Sequence, residues 1–229
     1  MTKPSVVTYA STVPDVPLPD VTDPATNRLE RRKQRTRTAL IRAAQTLIAE
    51  GRLAVPVLEI TQLADVGMGS FYNHFDSKEQ LFESAVTDAL DSYGDLLDAL
   101  TGDMEDAAEI FAASFRLTGR FFRSRPQESR ILLSNWPVLV TSDRGLAPRA
   151  LRDIKAAAAA GRLKVDDPDL ALAVAAGVLF GLGTLLARDP GRDDGTTVDA
   201  VTEDLLTMFG MPAGEAHTVC SRPLPEVPR

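Results

Sequence analysis

Apolar residues recur at helical spacing along most of the chain, and no run alternates as a strand would. Leu40, Ala44, Leu47 and Ile48 fall at i, i+4, i+7 and i+8, and Gly51 follows as a natural C′ residue. Pro56 stands where a helix can start, and VLEITQLA continues from it for about two turns. After a tight turn, Asp65-Val66-Gly67, a second short helix is expected, with Phe71 and Phe75 on one side to pack on Leu47, Ile48, Ile60 and Leu63. Ser77-Lys78-Glu79-Gln80 reads as a capping box opening a long helix with the stripe Phe82, Val86, Ala89, Tyr93, Leu96, Leu97 and Leu100. Met104, Ala108, Phe111, Phe115, Thr118 and Phe122 form the stripe of the next. Further helices are expected at about 145–160, 167–188 and 196–210. The fold class is therefore all-α.

Five prolines in residues 1–26, and Pro223, Pro225 and Pro228 near the other end, mark both ends as flexible tails, 1–26 and 213–229. Between them the expected domains are 27–79 and 80–212. Leu170 to Ala187 carries no charge and reaches the lower limit for a membrane span. Its Ala and Gly content and the flanking Asp166, Asp167, Asp169, Arg188 and Asp189 favour a helix packed on a partner. No membrane association is expected.

Charge changes the picture. The chain as a whole carries −7, which alone speaks against a polyanion partner. Residues 27–52, however, hold Arg28, Arg31, Arg32, Lys33, Arg35, Arg37, Arg42 and Arg52 against only Glu30 and Glu50. A basic end on an acidic body suits a protein with one surface for polyanions. A single cysteine, Cys220, excludes an internal disulfide and fits a reducing compartment. No apolar run of the secretory kind opens the chain, so a cytoplasmic location is expected.

The densest chemistry lies in GSFYNHFDSK, Gly69 to Lys78. At about 100° per residue, Phe71 and Phe75 share one side of a helix while Gly69, Ser70 and Asn73 fall on the opposite, small and polar side. Small residues would let the backbone approach a major groove, Asn73 could pair with adenine, and Tyr72 and His74 on the flanks could reach phosphates. Lys78 begins the next helix, where a cation and free N–H groups suit another phosphate. Helix, tight turn and reading helix make a helix-turn-helix unit. His74 reads equally as a structural histidine.

The run from Arg37 through Leu81 resembles the DNA-binding domain of TetR-type regulators, the tetracycline-repressor family. The resemblance is carried by Arg37, Leu40-Ile41, Ala43-Ala44 and Gly51, then by Ile60, Ala64, Val66, Gly69, Tyr72, His74, Phe75, Ser77, Lys78, Glu79 and Leu81. Departures are Thr61 for the usual Ala, Asp65 for the turn Gly, Gly67 for the usual Ser, and Val55-Pro56 where Ser or Thr is common. The resemblance implies base-facing Met68, Gly69, Ser70 and Asn73 and phosphate contacts from Arg35, Arg37, Tyr72, His74 and Lys78. It also implies a homodimer on a double-stranded DNA operator and a helical body that binds an unidentified small molecule. For the dimer, Ala173, Gly177 and Gly181 offer a small face and Val201 and Leu205 a second helix, although both stripes also suit an intramolecular core. For the effector, Phe111, Phe115, Thr118, Phe122 and Trp136 could line an apolar cavity, or be core. The basic residues before Arg35 fit an extended first helix or a minor-groove arm. No cofactor is expected. His74 and His217 stand apart and GVLFGLG sits in a helical pattern, so neither a metal set nor a phosphate loop supports an enzyme. A helical binding module acting through a protein partner remains the alternative.

Overall fold

A computed structural model describes residues 24–134, 136 and 142–226. Two compact units divide at Arg35. The first is described over residues 24–35, the opening turns of α1 (Pro24–Ala49). Its residues from Arg28 onward are exposed, and Lys33 pairs with Glu30 at 3.7 Å. Of the tail expected over 1–26, residues 1–23 lie outside the described residues, and Pro24 already opens the helix.

The second unit runs through α2 (Val57–Leu63), α3 (Met68–Tyr72), α4 (Lys78–Thr101), α5 (Ala107–Ser124), α6 (Pro126–Ser134), α7 (Leu146–Ala159), α8 (Pro168–Arg188), α9 (Asp194–Met208) and α10 (Ala213–Cys220). Every described element is helical. The sequence sets the boundaries through caps. Ser77, Asp106, Asp167 and Asp193 each accept a backbone N–H of the first turn of α4, α5, α8 and α9. The capping box is half realised, because Gln80 Oε1 accepts from the Asp76 N–H at 2.6 Å and not from Ser77. Gly51, at φ 72°, ends α1 in the left-handed conformation its side chain-free backbone permits.

Helix α5 is the axis of the body and packs against α7, α8 and α9. Close approach depends on glycine: a Cβ on Gly119 would stand 2.6 Å from Val198 Cγ1, and one on Gly183 would stand 2.8 Å from the Phe122 ring. Polar ties complete the body. Arg116 is 5% exposed and reaches Asp199 on α9 at 2.7 Å and the Arg222 carbonyl at 3.0 Å. Arg162 clasps Asp106 at 2.8 Å and also pairs with Glu215 on α10. These ties and the burial of Ala216, Val219 and Cys220 correct the flexible tail expected over 213–229 for residues 213–222, while 227–229 lie outside the described residues. Pro212 is a helix N-cap residue there, and the apolar spacing Ala216, Val219, Cys220 is that of a helix face.

Two faces differ from the sequence reading. The buried edge of α4 is Leu81, Ala85, Val86, Leu90, Gly94, Leu97 and Thr101, while Ala89 is exposed and Phe82, Tyr93 and Leu96 are half-buried. Small residues decided this. A Cβ on Gly94 would lie 2.7 Å from the Arg149 side chain, which crosses α4 there. Leu63 is 49% exposed, since α2 turns Ile60 and Thr61 inward instead.

Arg149 on α7 reaches Asp91 at 2.7 Å and Asp98 at 3.0 Å and also pairs with Asp95, binding three successive turns of α4. Arg144 adds a second bond to Asp91 at 2.7 Å. The hydrogen bonds from Arg149 and Arg144 hold the Asp91 carboxyl at about 2, down from an ordinary 3.8. A depressed folded-state pKa contributes stability above the unfolded value and loses it as pH falls through the folded value. Stability should therefore decline between about pH 4 and pH 2, and Asp91→Asn should flatten that part of the profile in urea titrations taken at successive pH values.

Candidate nucleic-acid interface and effector cavity

The helix-turn-helix is seated by one apolar cluster. Phe71 is fully buried and Phe75 nearly so, among Leu40, Leu47, Ile48, Val55, Ile60 and Leu81. Between α2 and α3 the chain turns at Asp65, whose φ of 54° is left-handed, a conformation Asp tolerates better than most residues. The Val66 N–H closes the turn on the Thr61 carbonyl at 3.0 Å. Thr61, where the family usually has Ala, is buried without penalty because its hydroxyl donates to the Leu58 carbonyl at 2.9 Å. Gly67 caps α3 with no side-chain bond, as its replacement of Ser requires.

With Phe71 and Phe75 turned inward, α3 presents Met68, Gly69, Tyr72 and Asn73 to solvent, with Ser70 and His74 half-buried at the edges. A Cβ added to Gly67 or Gly69 would meet nothing within 4 Å. Internal packing therefore does not demand glycine at either position. The Arg37 guanidinium lies over the Phe75 ring at 4.5 Å, a stacking that fixes it beside the base of the unit. Lys78 Nζ donates to the Val55 carbonyl at 3.2 Å, leaving further donors on the ammonium. Arg35 lies in the first unit and is exposed.

In the body, the five residues expected at a cavity, Phe111, Phe115, Thr118, Phe122 and Trp136, all border one space of about 420 Å³. Sequence reasoning missed its other walls: Leu90 and Tyr93 of α4, Phe121 of α5, Leu132 of α6, Leu146 and Ala150 of α7, and Leu172, Ala176 and Leu179 of α8. Tyr93 read as plain core stripe and Leu90 was not singled out, and only the tertiary fold gathers five elements round one void. A smaller space of about 70 Å³ shares Phe111, Phe115, Thr118, Leu146, Ala150 and Leu179 and ends at Asp98, Arg149 and Asp153. Burial pushes the Asp153 carboxyl above its ordinary range. Burial likewise pushes the Tyr93 hydroxyl to about 12.

Ala173, Gly177 and Gly181 lie exposed on α8, beside the exposed Leu170, Phe180 and Leu185, and Met208 of α9 is exposed as well. Gly177 and Gly181 have open space where a Cβ would stand. Val201 is half-buried. Leu205 does not belong with them: at 1% exposure it packs inside the chain with Phe111, Leu206 and Phe209, and no surface remains for a partner. By length and composition α8 could cross a membrane, but Ala171, Ala175, Leu182, Gly183 and Leu186 are buried within the body.

Comparison with known proteins matches both parts of the chain. Residues 40–85 fit the family described as bacterial regulatory proteins, tetR family, and residues 106–222 fit the tetracyclin repressor-like C-terminal domain. The HTH-type transcriptional repressor KstR2 of Mycolicibacterium smegmatis is 38% identical over 84 residues. That match spans 34% of this chain and 41% of KstR2. The crystal structure of RolR in complex with the ligand resorcinol is similar at 32% identity and a TM-score of 0.65, covering 87% of this chain and all of that one. FadR from Bacillus subtilis in complex with stearoyl-CoA has a TM-score of 0.54 over 74% of this chain and 97% of its own, and its 17% identity speaks for the fold alone.

The two aromatic neighbours on α3 should separate cleanly in chemical denaturation. Phe71→Ala empties a fully buried site and should cost about 3–5 kcal/mol. Tyr72→Ala, at 60% exposure and with only an edge contact to Phe71 at 5.1 Å, should cost about 0.5–1.5 kcal/mol.

Proposed function

The chain belongs to the TetR family of bacterial regulatory proteins, and we propose that it is a ligand-responsive, DNA-binding transcriptional repressor acting as a homodimer. The observation that carries this reading is the division of α3: an inner side of buried Phe71 and an outer side of Met68, Gly69, Ser70 and Asn73. In this reading the outer side meets base edges in the major groove of a pseudo-palindromic operator. Arg35, Arg37, Tyr72, His74 and Lys78 contact phosphates and fix the register. The open space around Gly67 and Gly69 is what a close-lying DNA surface would need. Two copies associate through the exposed face of α8, with Ala173, Gly177 and Gly181 allowing close approach and the outer side of α9 completing the interface. The cavity behind Trp136 takes a small, mainly apolar effector, as the resorcinol complex of the similar RolR suggests. Effector binding favours a body conformation whose reading heads no longer match successive grooves, a coupling free energy between two sites. Location in the cytoplasm follows from the role.

Fluorescence anisotropy on duplex DNA from the upstream region of the protein's own gene tests the first half. Sequence-selective binding should weaken steeply with salt, and Tyr72→Ala should lower affinity about tenfold at unchanged helicity. Selectivity no better than for random duplex at low salt would refute it. The dimer has its own test. Gly181→Arg should leave the monomer folded, since nothing occupies the space beside Gly181, and light scattering should then report half the mass of the unaltered protein.

A further inference from the structure

The opening turns of α1 carry positive charge that no described acidic group answers. Arg28, Arg31, Arg32 and Arg35 are all exposed, and none makes a side-chain hydrogen bond or ion pair among the described residues. Their spacing, i, i+3, i+4 and i+7, is that of one helix face. With Arg28 at zero and about 100° per residue, Arg31, Arg32 and Arg35 fall near 300°, 40° and 340°. Glu30 and Lys33 fall near 200° and 140° on the other side, where they pair at 3.7 Å. The arginine face therefore holds four positive charges and no acidic group. At a rise of about 1.5 Å per residue, these charges spread over about 10 Å. One strand of B-DNA presents a phosphate about every 3.4 Å of axis, so the two charge densities match. From Leu53 onward the chain holds 16 basic and 27 acidic side chains, a body that repels DNA.

We propose that this face of α1 is a second DNA-binding surface, a clamp on phosphates that holds duplex of any sequence. The proposal rests on the reading of the chain as a DNA-binding regulator and adds to it a mode of binding that needs no operator. The helix also decides which part of the duplex the arginines meet. With its side chains an α-helix is about 10–12 Å across, whereas the minor groove is about 6 Å wide. Residues 28–35 are helical, so their arginines lie along phosphates and the minor-groove arm drops out. Phosphate contacts carry no sequence information. What they add is affinity and a steering field, both of which the acidic body opposes.

A random-sequence duplex and the full-length protein suffice for the test. Anisotropy titrations between about 50 and 200 mM salt give the slope of log affinity against log salt. One variant combines Arg28→Gln, Arg31→Gln and Arg32→Gln and leaves Arg35, already assigned to a phosphate, in place. Its slope should be shallower by about 2.7 for each chain engaged, about 0.9 per lost phosphate contact. Helicity should be unchanged, because all three side chains are exposed and Gln suits a helix as Arg does. The variant with Lys at the same three positions keeps the charge and should keep the slope. An unchanged slope in the Gln variant would overturn the proposal. A loss absent on a duplex of A·T pairs alone, and not restored by Lys, would also overturn it, since guanine reading would then be the cause. Binding to anionic phospholipid vesicles at a salt concentration where random duplex is not bound would overturn it as well. Selective operator binding with the slope unmoved would sink the clamp alone. A steep, arginine-dependent slope without any sequence selectivity would uphold the clamp and refute the repressor reading.

Discussion

The helix-turn-helix and one wall of the large cavity share an apolar cluster that uses α4 as its spine, while the rest of the body packs in two further clusters. At one end it holds Phe71 and Phe75, and so decides which side of α3 is left for solvent. At the other it includes Leu90 and Leu132, with Phe121 and Leu146 packed against it, and these four border the large cavity. Cores of this kind are close-packed and transmit displacement instead of absorbing it. A ligand that moves Leu90 or Phe121 acts on the body that seats the reading helix. The shared cluster supplies a physical route between the two sites that the functional reading requires.

Polar groups refine what the cluster fixes. Arg149 lies across Gly94 and ties α7 to three turns of α4, so the cavity wall formed by Leu146 and Ala150 cannot shift independently of the spine. Arg116 and Arg162 draw α9, α10 and the segment after it onto α5. Such pairs stabilise modestly where they are exposed. Their directional geometry nevertheless restricts how the helices can slide. Arg37 plays the corresponding part at the reading head, stacked on Phe75 from outside the core.

The elements were largely legible in the sequence. Leu40, Ala44, Leu47 and Ile48 are buried as their spacing implies, and the stretches expected at about 145–160, 167–188 and 196–210 became α7, α8 and α9. The sides of Phe71, Phe75 and Tyr72 were also readable, because a short helix with two large inward rings has one way to bury them. What periodicity could not resolve was the choice between neighbouring faces. On α4 the small residues Ala85 and Gly94 mark the buried edge, and only a partner such as Arg149 explains them. Leu205 looked as available to a second chain as Val201, since burial against Phe111 and Phe209 depends on where α5 lies. Helix α10 was hidden by the prolines around it, although Ala216, Val219 and Cys220 already carried its apolar face.

The claim that reading head and cavity share one core can be tested without any ligand, by hydrogen exchange at single-residue resolution in Leu90→Ala. The substitution removes cavity-wall atoms in α4, 18 residues beyond the end of α3. The shared cluster predicts faster exchange of the His74 and Phe75 amides, both bonded to the Phe71 carbonyl at 2.9 and 3.0 Å, together with those of α4. Faster exchange confined to α4 and the cavity helices, with His74 and Phe75 unchanged, would contradict it.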